Sequence, residues 1–93
     1  MAQKPETLLE KRAVKFAVDL RNKFGYGNTV SVPIYRLRDE LRENGMQISH
    51  PTLMGYWRAL VRMGYAKREM RARVLGVTYR LNTYSLDKLS KAV

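Results

Sequence analysis

The sequence predicts a mainly helical α+β domain, four helices with one small β-hairpin. Three observations lead there. Apolar residues recur at helical spacing in segments 5–24, 33–44 and 49–63. Glycine-bearing stops, Gly25, Asn44-Gly45 and Gly64, close each of them. Two later runs, 65–70 and 77–81, read as strands facing each other across a short loop. The chain has 93 residues, enough for a single domain over 1–93 with a modest core, so self-association is an expected source of stability.

The first helix, 5–24, opens at Pro5, whose fixed backbone suits a first turn. Leu9, Ala13, Phe16, Ala17, Leu20 and Phe24 form its inward face, with Lys11, Lys15 and Asn22 opposite. Val14 and Val18 make a second strip, either a subunit contact or a flank of the same core. Residues 25–28 are a turn by composition, and Thr29-Val30-Ser31-Val32 is long enough only for one edge strand. Pro33 opens the second helix, 33–44. Ile34, Leu37 and Leu41 face inward there, and Arg36 and Glu40 pair on the outside. Met46 and Gln47 lead to Ile48, a core plug.

Ser49 caps the third helix, 49–63, because its hydroxyl can accept from a free first-turn amide. Pro51 follows where no N–H is needed. The hairpin spans 65–81, with Arg71 and Arg73 in its 71–76 loop. In the C-terminal segment, 83–93, Thr83 or Ser85 caps a short helix carrying Leu86 and Leu89.

The balance of 18 Lys+Arg against 8 Asp+Glu leaves a net charge of +10, which favours an anionic partner such as nucleic acid. The excess is uneven. Arg36, Arg38 and Arg42 cancel Asp39, Glu40 and Glu43 in the second helix. From 46 to 81, Arg58, Arg62, Lys67, Arg68, Arg71, Arg73 and Arg80 face only Glu69. The chain contains no Cys, so no disulfide framework or thiolate zinc site is expected, in keeping with a reducing cytoplasm. No apolar run approaches the roughly 18 residues of a membrane span, and no apolar signal core opens the chain. There is no Cys nucleophile, no glycine-rich phosphate loop and no histidine-rich set. We expect neither enzymatic activity nor a cofactor or metal.

Residues 49–63 combine the only Trp with a glycine that costs a helix about 1 kcal/mol relative to Ala. Stepping about 100° per residue from Leu53 groups Leu53, Trp57, Leu60 and Val61 as the core side. Pro51, Thr52, Gly55, Arg58, Ala59 and Arg62 fall opposite, with Met54 and Tyr56 at the edges. This outer face is small and basic and contains no acid. It suits a phosphate-lined groove, with Gly55 and Ala59 allowing close backbone approach.

The element order, with Leu37, Leu41 and Asn44-Gly45, the Ser49 cap, the run from Leu60-Val61-Arg62-Met63-Gly64-Tyr65 to Glu69, and Gly76-Val77-Thr78-Tyr79-Arg80-Leu81, resembles the winged helix-turn-helix family over about residues 8–81. The resemblance implies that 49–63 is a recognition helix for the DNA major groove and that 71–76 is a wing tip. Gln47, Ser49, His50, Pro51, Thr52, Gly55, Tyr56, Arg58 and Arg62 are then the candidate contacts. Arg71 and Arg73 resemble wing residues that meet the minor groove or its phosphates. Val14, Val18, Leu86 and Leu89 are the candidate surface of a homodimer reading palindromic double-stranded DNA.

The chain further resembles the centromere-binding components of archaeal plasmid partition cassettes. That likeness implies several dimers along the DNA, a ParB-like adaptor and, through it, a ParA-type ATPase. Transcriptional repression uses the same contacts, and RNA binding or protein interaction by a winged helix is the alternative of another class.

Overall fold

The computed structural model describes residues 3–22, 29–30, 34–69 and 78–91. Along them run α1 (Leu8–Asn22), β1 (Thr29–Val30), α2 (Ile34–Glu43), α3 (His50–Met63), β2 (Ala66–Glu69), β3 (Thr78–Leu81) and α4 (Thr83–Lys91). The mainly helical α+β class is as expected. Phe24, Gly25, Pro33 and the 71–76 loop, on which further expectations rested, lie outside the described residues.

α1 starts at Leu8 rather than at Pro5, which precedes the helix. The Thr7 hydroxyl accepts from the Glu10 amide at 3.1 Å, and the Glu10 carboxylate accepts from the amides of Thr7 and Glu6 at 3.0 and 3.2 Å. This is a capping box, spelled Thr7-Leu8-Leu9-Glu10, and it satisfies donors that Pro5 upstream cannot address. With the start displaced, Leu9 falls in the first turn at the margin of the packed helices. It is 45% exposed instead of buried. Ala13, Phe16, Ala17 and Leu20 form the inner face, and Val14 is buried with them. Of the two readings of Val14, the flank of the core is the one observed. Val18 is half-buried against the same core.

α2 buries Leu37 and Leu41 and ends in a turn at Asn44-Gly45. Gly45 takes φ +92°, where a side chain would be strained. The Met46 amide closes on the Leu41 carbonyl at 2.8 Å. Ile48 packs partly buried against the core.

α3 behaves at both ends as its sequence predicts. The Ser49 hydroxyl accepts from the Thr52 amide, Pro51 sits in the first turn, and Gly64 caps the far end at φ 92°. Its faces, however, are rotated. Ala59 is 1% exposed and Val61 is 39% exposed, the reverse of the expected arrangement. The core side is Leu53, Trp57, Ala59, Leu60 and Met63. The cause is tertiary: α1 and α3 form the most extensive helix pairing, and α1 approaches α3 along Tyr56 and Trp57. Phe16 meets the ring of Tyr56 at 5.3 Å and the edge of Trp57 at 5.7 Å. An apolar arc centred near Tyr56–Leu60 takes in Ala59 and Met63 and leaves Val61 outside.

β3 is the central strand of a three-stranded antiparallel sheet, β1-β3-β2. Ala66 pairs with Leu81 and Arg68 with Tyr79, while Thr29 and Val30 pair with Arg80 and Tyr79. β1 is thus an edge strand, as expected. Residues 70–77 of the hairpin lie outside the described residues; Tyr65, just before β2, is buried. The α4 cap is Asn82, not Thr83 or Ser85. Its side-chain oxygen accepts from the Ser85 amide at 3.1 Å, while its backbone N–H donates to the Tyr65 carbonyl at 2.8 Å.

α4 docks on α1 through an Arg21–Asp87 ion pair and places Leu86 in the core. Val14 and Leu86 are therefore occupied within the subunit, and the homodimer surface drawn through them is corrected to that extent. Leu89 is half-buried against the same core. Among the described residues, no helix is long and apolar enough to cross a membrane.

Candidate nucleic-acid interface

The ends of α3 are held by side-chain and backbone caps and its inner side by Trp57, so its outer side is presented rigidly. Gln47, Ser49, His50, Pro51, Thr52, Arg58 and Arg62 are all exposed, with Gly55 and Tyr56 half-buried between them. Gln47, Ser49, His50 and Pro51 stand at the start of the helix and Gly55, Arg58 and Arg62 on its outer face, whereas Thr52 and Tyr56 turn toward α1. Arg71 and Arg73 lie outside the described residues.

Gly55 is the informative member. A Cβ built there meets nothing within 4 Å, and its φ is not positive. Neither packing nor backbone conformation in the free protein asks for glycine at this position.

The two helix arginines are in different states. Arg62 reaches back to Glu10 of α1 at 3.5 Å, so part of its charge is answered within the chain. The Glu10 carboxyl is held below its ordinary range chiefly by the amides of Thr7 and Glu6, with a smaller pull from Arg62. Arg58 is in no ion pair among the described residues.

Two features are absent from the sequence reading. A shallow groove of about 400 Å³ runs between α1 and the start of α3, with Arg12 and Lys15 on one bank and Ser49, Thr52 and Tyr56 on the other. Helical periodicity alone sets Lys15 on the far side of the first helix. A neighbouring groove shares Arg12, Thr52 and Tyr56 and continues to Leu8, Leu9 and Gly55. The second feature is Arg68. It is exposed on β2 directly opposite Tyr79 and forms no ion pair among the described residues. Ala66 and Arg68 share a face of β2, yet only Ala66 is buried, so strand phase alone does not mark Arg68 as part of the surface. Burial pushes the Tyr79 phenol above its ordinary pKa range, while the guanidiniums of Arg68 and Arg58 pull it back. The arginine of the helix and the arginine of the sheet thus act on the same hydroxyl.

No protein-family model, curated protein or solved structure matches this chain.

What the surface can do therefore follows from its own chemistry. A capped helix start, a lean helix face and basic residues from α1, α3 and β2 favour an extended polyanion. His50 is the only histidine in the chain, and among the described residues no three His, Cys, Asp or Glu side chains cluster to hold a metal ion.

Proposed function

We propose that this chain is a winged helix-turn-helix protein that binds double-stranded DNA, with α3 in the major groove and the 71–76 loop near the minor groove. The observation that supports this reading most directly is the exposed face of α3. It carries Arg58 and Arg62 with no acid of its own, and at Gly55 it is bare although nothing in the subunit requires that. A duplex groove lined with phosphates accounts for both properties: it attracts arginines and needs room for backbone approach. Ser49, His50 and Thr52 at the helix start are positioned for phosphates or base edges, and Arg58 for a guanine edge or a phosphate.

The biological role we propose is site binding for plasmid partition. Homodimers would read a palindrome and load along the DNA, then hand it through a ParB-like adaptor to a ParA-type ATPase. This rests on the likeness described from the sequence. Fluorescence anisotropy with duplex DNA across a salt series tests the binding itself. Log affinity should fall linearly with log salt, by about 0.9 per phosphate neutralised. Equal affinity for single-stranded RNA would overturn the recognition-helix reading. A footprint that lengthens outward from one palindrome as protein is added supports partition; one confined to an operator supports repression.

A further inference from the structure

We infer that Arg58 and Arg68 close on one and the same backbone phosphate, with the Tyr79 hydroxyl as a third donor. The inference rests on the duplex-binding reading above and names the ligand of one part of that surface. Three elements converge there. Arg68 on β2 faces Tyr79 on β3 in register. The Tyr79 ring stacks on Trp57 with centroids 4.3 Å apart, and Arg58 is the next residue along α3. Tyr79 thus has one arginine opposite it on the neighbouring strand and one a residue beyond its stacking partner, and both guanidiniums favour its phenolate.

Charge supports the same conclusion. Glu69, next to Arg68, is taken by Arg80 at 3.1 Å, and Glu10 is taken by Arg62. Arg58 and Arg68 are both exposed, and neither has a carboxylate paired to it among the described residues. An anion bound within reach of both guanidiniums is attracted by each of them. A phosphodiester fits because its two free oxygens match the guanidinium fork, and the phenol O–H supplies one more donor.

The consequence is a positioning contact rather than a reading contact. A phosphate gripped at once by α3 and β2 fixes the angle at which the helix enters the groove. Loss of the grip should weaken binding to all duplex sequences alike, whereas loss of a base-edge contact relaxes specificity at one position.

The test is a double-mutant cycle on Arg58→Gln and Arg68→Gln, with Tyr79→Phe as a variant that keeps the ring stack. Each arginine variant should bind duplex about tenfold more weakly, as expected for a charged hydrogen bond. If one phosphate is shared, the double variant is little worse than the weaker single one. Its salt slope is then lower by about 0.9 in total. Multiplying losses and a slope lower by about 1.8 would mean two separate phosphates and overturn the inference. Tyr79→Phe should show a smaller loss with unchanged thermal stability. Should the wild-type protein bind no duplex at all, the DNA reading falls, and the site is then judged with inorganic phosphate. Saturable shifts of both arginine Nε–H NMR signals, with a change in Trp57 fluorescence, uphold a shared anion site; shifts of one arginine alone, or of neither, overturn it.

Discussion

The indole of Trp57 lies flat on the phenol ring of Tyr79, their planes 5° apart and their centroids separated by 4.3 Å. Phe16 meets the same indole edge-on at 83°. One side chain of α3 is thereby clasped between α1 and β3, which sets the orientation of the whole helix. The contact has a cost, since the buried Trp57 Nε1–H has no hydrogen-bond partner among the described residues. The stacking and burial of three aromatic rings outweigh an unmet donor worth about 1–3 kcal/mol.

Removing that stack should be expensive. Tyr79→Ala is expected to lower unfolding free energy by about 3–5 kcal/mol. Tyr84→Ala, at a site 72% exposed, should change it by less than about 0.5 kcal/mol. Urea denaturation of both variants measures the difference, and equal effects would refute the core role of Tyr79.

Gly55→Leu should fold normally, because the added side chain enters open space. Helix propensity alone should raise stability by up to about 1 kcal/mol. Duplex affinity should fall as the side chain stands between backbone and groove. Unchanged affinity would remove the argument from close approach.

The α1 cap should be visible in acid. Thr7→Ala is expected to cost about 0.5–2 kcal/mol. Because the folded-state pKa of Glu10 is depressed from 4.5, the stabilisation it contributes is present above the ordinary carboxylate range. It is lost as pH falls through the folded value. In Glu10→Gln the acid loss of stability should be shallower than in the wild type, as read by denaturation midpoints between about pH 6 and about pH 3.

The alkaline side has the opposite sign. Burial raises the folded-state pKa of Tyr65 and Tyr79 above 10.0. Their contribution is complete below that value and is lost as pH rises through the folded pKa, since the unfolded chain releases these protons first. Ultraviolet absorbance should follow a late-titrating Tyr79. In Arg58→Gln or Arg68→Gln it should titrate later still, because each guanidinium favours the phenolate. A titration unmoved by both substitutions would place the arginines away from the ring.

Much of the candidate surface was legible along the chain. The Ser49 cap, Pro51 in the first turn, Gly64 and the lean Gly55–Arg58–Arg62 side are all local properties of one helix. The capping box at Thr7 was equally local and was obscured by the more familiar signal of Pro5. Arg12, Lys15 and Arg68 were not legible as parts of the same surface. Their neighbours on it come from other elements, and no spacing rule joins α1 or β2 to α3.

What the sequence determined by itself was the inventory of elements and both ends of α3, because caps, left-handed glycines and periodicity depend on neighbours within a few residues. What the tertiary structure decided was the rotation of α3 and the side taken by marginal residues such as Leu9 and Val14. Ala59 and Val61 are both small apolar residues that a helix can carry on either side, and Val14 could have faced either way. The packing of Phe16 against Tyr56 and Trp57, and of Trp57 against Tyr79, chose the rotation. Apolar burial is collective, and an arc of small and large side chains is assigned only when its partner surface is present.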